Sequence, residues 1–247
     1  TTAIHNIRTG TGDANTEPST PTMAQRRQPR RIQVLPKEVV DRIAAGEVVQ
    51  RPASVVKELI ENSLDANSSC IDVVCSGGGL RLLSISDDGG GIRPADLNLA
   101  AVRFATSKLV AFDDLKSIRT FGFRGEALAS TSMVSRLSII SRRRLPDDGG
   151  NEGFSAVCAY KQVYRDGKPT ASKPTPCAGN MGTLIKVEDL FYNVPSRKRA
   201  FEGQRKEVEE YNRVLAVCQR YAIHRGRNGV AFTCRKSGGN TSDLNTQ

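Results

Sequence analysis

From Lys57 to Asn67 the apolar and polar positions separate around a helix. At about 100° per residue, Val56, Leu59, Ile60, Ser63 and Leu64 gather on one arc, and Glu58, Glu61, Asn62 and Asp65 on the opposite one. Glu58 and Asn62 are four apart, so their side chains stand one above the other on the same face. Taken alone, this is an ordinary amphipathic helix with a solvated acidic face. Ser54, after the Arg51-Pro52 turn, is its expected N-cap, and it should end around Ala66-Asn67. An earlier helix from Pro36 to about Ala45 puts Val39, Val40 and Ile43 on one side, and Gly46 is expected to break it.

Two strands follow. Residues 70–75 carry Ile71, Val73 and Val74, and the glycines at 77–79 supply a turn. Residues 80–87 alternate, so that Leu83, Ile85 and Asp87 share one face. Asp87 therefore falls on the side that Leu83 and Ile85 mark as core, where a carboxylate is costly unless something bonds it. Further on, helices are predicted over Pro94 to about Phe104, from Glu126 through about Ser132, and from about Arg205 to His224. Strands are predicted at 136–142, 154–164 and 183–188, with another starting at Val230. Helices and antiparallel-looking strands interleave without a regular β-α-β repeat, which indicates an α+β sandwich rather than a doubly wound sheet.

Composition narrows the chemistry. The chain has 247 residues, enough for one large domain or slightly more. It has no tryptophan and few aromatics, which disfavours base stacking on single-stranded nucleic acid as the main activity. The net charge of +10 favours a polyanionic partner, nucleotide or nucleic acid. Part of it lies in residues 1–31, which hold five Arg against one Asp and one Glu and almost no apolar side chains; that stretch reads as a disordered basic tail. Six cysteines never form C-x-x-C and only two His exist, so a structural zinc site is not expected and reduced thiols are. No apolar run reaches the length of a membrane span, and no signal peptide is visible. The chain does not begin with Met, which reads as a partial frame.

Three glycine-bearing elements stand out: Asp87-x-Gly89-x-Gly91; Gly122-Phe123-Arg124-Gly125-Glu126-Ala127-Leu128; and Gly182-Thr183. No G-x-x-x-x-G-K-[ST] occurs, which excludes the usual P-loop, and no G-x-G-x-x-G opens a helix after a first strand, which disfavours a dinucleotide fold. The second element runs into a helix, where free backbone N–H groups at a positive helix end make a phosphate site. Singly, each glycine element is also what a turn or bulge would need.

In order, Glu58-x-x-x-Asn62-x-x-Asp65-Ala66, Asp87-x-Gly89-x-Gly91, Gly122 to Leu128 and Gly182-Thr183 resemble the motif set of the GHKL ATPases, which include Hsp90, gyrase B, histidine kinases and MutL. Residues 43–52, Phe104-Ala105-Thr106-Ser107-Lys108 and Asp189-Leu190-Phe191-Tyr192-Asn193 resemble the MutL mismatch-repair family, and 164–168 with 176–180 and 187–191 its eukaryotic homologues. The resemblance covers about residues 32–235. It implies the Bergerat two-layer sandwich, a mixed and mostly antiparallel sheet with helices on one face. It implies ATP and Mg²⁺ as cofactors. Glu58 would be the general base that polarises the attacking water, and Asn62 the metal ligand. Asp87 would accept from the adenine amine, with Gly89 and Gly91 letting the backbone approach the base and the Thr183 hydroxyl joining the network. Thr106, Ser107 and Lys108, with the backbone of Arg124, Gly125, Glu126, Ala127 and Leu128, would form a lid over the phosphates; Arg124 serves mainly loop structure, with an ion pair to a nearby acid as its structural alternative. Glu61 and Asp65 remain structural.

The resemblance also implies an ATP-gated clamp that pairs with a second MutL-type subunit, acts with a MutS-type mismatch-recognition complex, touches DNA by backbone contacts and works in the nucleus. Residues 32–228 would be the ATPase domain and 229–247 the start of an S5-like second domain, from which a further Lys would reach the γ-phosphate. The runs at 142–144 and 197–199 are candidates for DNA backbone contact, or merely solvated loops. Asp88 stands where the family has Asn, and should point away from the base. Two alternatives stay open: another GHKL ATPase of the Hsp90 or gyrase B type, or a DNA-binding repair scaffold with a vestigial ATP pocket.

Overall fold

A computed structural model of the chain describes residues 31–109, 111–143 and 158–247. Contacts divide the chain into 1–34 and 35–247, and the fold below is that of the second unit. The tail expected over 1–31 lies outside the described residues except for Arg31, and so do the predicted loop at 146–150 and the first part of the strand predicted from 154.

The strands are β1 (Cys70–Ser76), β2 (Leu82–Asp87), β3 (Arg136–Arg142), β4 (Ala159–Arg165), β5 (Lys168–Pro169), β6 (Thr175–Cys177), β7 (Gly182–Glu188), β8 (Ala231–Lys236) and β9 (Leu244–Asn245). They form one sheet in the order β5-β4-β3-β7-β2-β1-β8-β9, with β6 paired to β4. Every pairing is antiparallel except β1 with β8. The predicted mixed, mostly antiparallel sheet is what forms.

Register arranges the buried face in rows. Cys234, Val73, Ile85, Ile185, Ile139 and Gln162 make one; Cys75, Leu83, Val187, Leu137 and Tyr164 make the next. The row at the other end is Phe232, Ile71, Asp87, Thr183, Ser141 and Tyr160, polar in its middle. Side chains alternate strictly across a strand, so Ser84, Ser86 and Lys186 lie on the opposite, half-exposed face.

The helices are α1 (Lys37–Val48), α2 (Pro52–Asp65), α3 (Pro94–Leu97), α4 (Ala127–Val134), α5 (Pro195–Phe201) and α6 (Gln204–Gly226). α2 lies over β2 and between α4 and α6, and α1 packs on α4. Val55, Val56, Leu59 and Ile60 of α2 meet Tyr211, Val214, Val217 and Cys218 of α6 in the core. Each fully buried aliphatic side chain of this kind contributes about 1.5–3 kcal/mol.

Three helix boundaries differ from the sequence expectation. α1 runs through Gly46 to Val48. The Arg197 guanidinium lies beside Gly46, 3.3 Å from where a Cβ would be, and donates to Val49 O at 2.8 Å, satisfying a carbonyl at the helix end. α2 begins at Pro52 with Arg51 extended before it, so Ser54 sits inside the first turn and is not the cap. α3 stops at Leu97 rather than continuing to Phe104; Phe104 takes φ 64° and donates its N–H to Gly125 O at 3.1 Å. Within residues 229–247, β8 and β9 join this same sheet, with Phe232 and Cys234 fully buried.

Candidate functional site

β2 delivers Asp87 to the polar row, and three elements bond it there. Ser63 of α2 donates its hydroxyl to Oδ2 at 2.7 Å, and the N–H groups of Gly89 and Thr183 donate to Oδ1 at 3.0 and 3.2 Å. Burial pushes the carboxyl above its usual range, and these donors together with Ser68 pull against it. An ionised carboxylate offers about four lone-pair sites, so capacity remains for one more donor. Thr183 uses its N–H here; its hydroxyl pairs with Ser141 Oγ at 3.0 Å. Ser141 also accepts from Ile92 N–H at 2.8 Å and bonds Gly182 O at 3.0 Å, tying the end of β3 to the loop after Gly91.

The glycines are required by the protein's own backbone. At Gly89 a Cβ would lie 2.6 Å from Ser68 Oγ and 2.8 Å from Ala66 O. Gly91 has φ 73°, and its Cβ would lie 2.5 Å from Arg142 O. The end of α2 and the end of β3 thus pinch the Asp87–Gly91 loop from two sides.

Asn62 and Asp65, which flank Ser63 at the end of α2, form the second cluster. Lys108 Nζ lies 2.9 Å from Asn62 Oδ1 and 2.6 Å from Asp65 Oδ2. Asp65 also accepts the N–H groups of Phe121 and Gly122 at 2.9 and 3.1 Å. A Cβ on Gly122 would be 3.4 Å from Lys108 Nζ and 3.6 Å from Asn62 Oδ1. Asn62, Lys108 and the glycine loop therefore converge on one spot, although they come from three separate stretches of sequence. The two halves of the predicted lid are also joined: Gly125 has φ 61° and its Cβ would lie 2.3 Å from Ala105 O. Thr106 Oγ1 accepts Lys108 N–H at 3.1 Å. Glu126, at the start of α4, takes Arg103 at 3.2 and 2.9 Å, and Arg103 reaches Asp41 of α1 at 2.8 Å. Ala127 and Leu128 form the first turn of α4.

Residues 50–150 match the family described as "Histidine kinase-, DNA gyrase B-, and HSP90-like ATPase". The chain is 43% identical over 224 residues to DNA mismatch repair protein Mlh1 of Dictyostelium discoideum, covering 88% of this chain and 24% of that protein. It is 47% identical over 207 residues to DNA mismatch repair protein MutL of Edwardsiella ictaluri, covering 84% of this chain and 30% of that one. The chain belongs to the MutL family. The Aquifex aeolicus MutL ATPase domain, solved as a complex with ADP, superposes on this MutL-type chain with a TM-score of 0.56 at 28% identity, covering 80% of this chain and 64% of that one. The chain spans about a quarter to a third of the length of the curated relatives it matches.

Not every expected residue of this MutL-type chain joins the clusters. Glu58 is one-third exposed and pairs with Lys57 at 3.0 Å. Ser107 is exposed, and so is Arg124, whose guanidinium lies over the Phe123 ring at 5.6 Å. Asp88 turns away from Asp87: its carboxylate takes the N–H groups of Ser69 and Cys70 at 2.8 Å each, and the Ser69 hydroxyl. Burial is the largest single influence and raises the Asp88 carboxyl, but the bonds from Ser69 and Cys70 together outweigh it and hold it below the usual range. The acidic arc of α2 is not uniformly wet either. Glu61 is buried, bonded to Lys57 at 2.8 Å and by the Tyr221 hydroxyl at 2.5 Å.

Ser63, Ser141 and Asp65 are the residues that pattern reading left without a part. Ser63 was visible as the one polar member of the apolar arc, and Ser141 by alternation from Ile139. The basic run at 197–199 is partly absorbed into the fold, since Arg197 caps α1 and lies over Phe191; Arg144 of the other run lies outside the described residues. A cleft of about 750 Å³ between α2 and α6, lined by Lys57, Phe121, Arg220 and Tyr221 among others, does not include Asn62 or Asp87. A smaller one of about 300 Å³ reaches Asp87 and Thr183 under residues 178–181. The site is therefore defined by convergence of side chains and not by cleft volume. Among the described residues no helix is long and apolar enough to cross a membrane.

Proposed function

We propose that this chain binds ATP with Mg²⁺ and hydrolyses it. The observation that carries the reading is the meeting of Asn62, Lys108 and Gly122 beside the Ser63–Asp87 bond, Asn62 and Ser63 being neighbours on α2. Asp87 would accept from the exocyclic amine of adenine with its remaining lone pair. The loop from Gly122 into α4 would present N–H groups to the phosphates. Asn62 Oδ1 is already satisfied by a cation, the Lys108 ammonium, so this acceptor suits a metal; Mg²⁺ held there would neutralise charge on the phosphate oxygens. Glu58, one turn earlier on the same face, would orient and deprotonate the attacking water. A lysine from a following domain, which the resemblance implies, would add to the phosphate contacts.

In the whole protein this domain would act as an ATP-gated clamp in DNA mismatch repair, in the nucleus. It would pair with a second MutL-type subunit after a MutS-type complex has recognised a mismatch, and touch DNA through the phosphate backbone. Val40 and Ile43, 45% and 52% exposed on α1, give that pairing an apolar surface to bury. α1 is joined to the lid through the Asp41–Arg103–Glu126 chain, so nucleotide at the lid can reach that surface. The test is ATP affinity with and without Mg²⁺ by calorimetry. Tighter binding with the metal is expected; no dependence on it would favour the repair scaffold with a vestigial pocket.

A further inference from the structure

The Lys108 ammonium sits where a divalent cation on Asn62 would have to come. Its bonds to Asn62 Oδ1 and Asp65 Oδ2 are 2.9 and 2.6 Å long, and the two charged side chains are 21% and 5% exposed. Mg²⁺ binds oxygen at about 2.0–2.1 Å, so a metal ion on the Asn62 oxygen would stand close to the ammonium 2.9 Å from that same atom, and their like charges repel. Asp65, one turn past Asn62 on the same face, has a second task, since its two oxygens also hold the N–H groups of Phe121 and Gly122. When Lys108 leaves, Asp65 still anchors the glycine loop and remains satisfied.

We propose that Lys108 is a built-in cation that competes for the metal position on Asn62, with Asp65 as the positioning residue that holds both it and the glycine loop. The inference rests on the reading of Asn62 as metal ligand. The divalent ion and Lys108 compete at Asn62. Metal alone therefore binds weakly, and the ion enters efficiently only with phosphates, whose negative charge gives the displaced ammonium a new partner. Release of Lys108 also frees residues 106–108 from α2, so metal arrival and lid rearrangement become one event.

The test titrates the whole chain with Mn²⁺ alone, without nucleotide, and follows free Mn²⁺ by electron paramagnetic resonance. Lys108→Met should bind Mn²⁺ about tenfold or more tightly than the unaltered chain, and Lys108→Met/Asn62→Ala should lose the gain. Lys108→Arg, which keeps the charge, should behave like the unaltered chain. In Asp65→Asn, hydrogen exchange at Phe121 and Gly122 should quicken. No gain in Lys108→Met, or a gain that survives loss of Asn62, overturns the proposal, as does unchanged exchange in Asp65→Asn. Mg²⁺-dependence of ATP binding in Asn62→Ala separates the two levels. If that dependence is lost while Lys108→Met gains nothing, only the Lys108 proposal falls. If Asn62→Ala keeps the dependence, the metal-ligand reading falls with it.

Discussion

The hydroxyl of Ser63 donates to Oδ2 of Asp87 at 2.7 Å, joining the helix that carries Asn62 to the strand that ends in the buried carboxylate. Ser63→Ala removes this donor and leaves a buried oxygen short of a partner. We expect a loss of about 1–3 kcal/mol in stability, read by thermal unfolding, and weaker ATP binding. Unchanged affinity would mean that Asp87 is positioned by Gly89 and Thr183 alone.

Glu58 is partly exposed and lies outside the bonded clusters, as a group that must meet water can be. Glu58→Ala should lower ATP turnover by about 10²–10⁴-fold and leave ATP affinity nearly intact. Steady-state hydrolysis measured beside calorimetry decides this, and turnover equal to that of the unaltered chain would remove Glu58 from the base role.

Asp87 and Asp88 should respond to pH in opposite senses. Burial raises the folded-state pKa of Asp87 above its unfolded value, so its contribution to stability is full below about pH 3.9 and is lost as pH rises through the folded value. Asp88 is held down by the Ser69 and Cys70 bonds despite some burial, so its contribution is present above about pH 3.9 and is lost as pH falls through its folded value. Denaturant unfolding over a pH series should show Asp87→Asn gaining on the unaltered chain as pH rises above about 4. Asp88→Ala should lose its deficit on the acid side. Asp87→Asn should also abolish ATP binding at neutral pH.

Gly125 combines φ 61° with a Cβ position 2.3 Å from Ala105 O. Gly125→Ala must move the glycine loop off residues 104–105, at a cost of about 1–3 kcal/mol. Because the fold's core is elsewhere, we expect a modest fall in melting temperature and a larger fall in ATP affinity. A fall in melting temperature with affinity unchanged would show that the loop's seat on Ala105 is not part of the phosphate site.

Local pattern reading reached the elements whose faces are set by burial. Alternation in 80–87 placed Asp87 in the core row, and the four-residue spacing stacked Glu58 on Asn62. It failed where a distant group decides. Gly46 does not stop α1 because Arg197, 148 residues from the Val49 carbonyl it caps, holds that end. The helix begun at Pro94 gives way after Leu97 to i→i+3 turns, and the segment ends on the Phe104 bond to Gly125 instead of a continued helix. Asp65 reads as a structural carboxylate, and it is one, but its partners lie 56 and 57 residues away in the glycine loop, where spacing does not name them. Ser54 failed for a nearer reason, since Pro52 already fits the first helical position.

The row containing Asp87, Thr183 and Ser141 exists only in one alignment of β7 with its neighbours. Lys186 lies between Ser84 and Ser138 on the half-exposed face, next to Ile185 in the chain. Sliding β7 by one residue would turn Thr183 outward and drive the Lys186 ammonium among Ile85 and Ile139, at the cost of burying a charge. The charge on Lys186 thus penalises the one-residue slip and favours the register that builds the polar row.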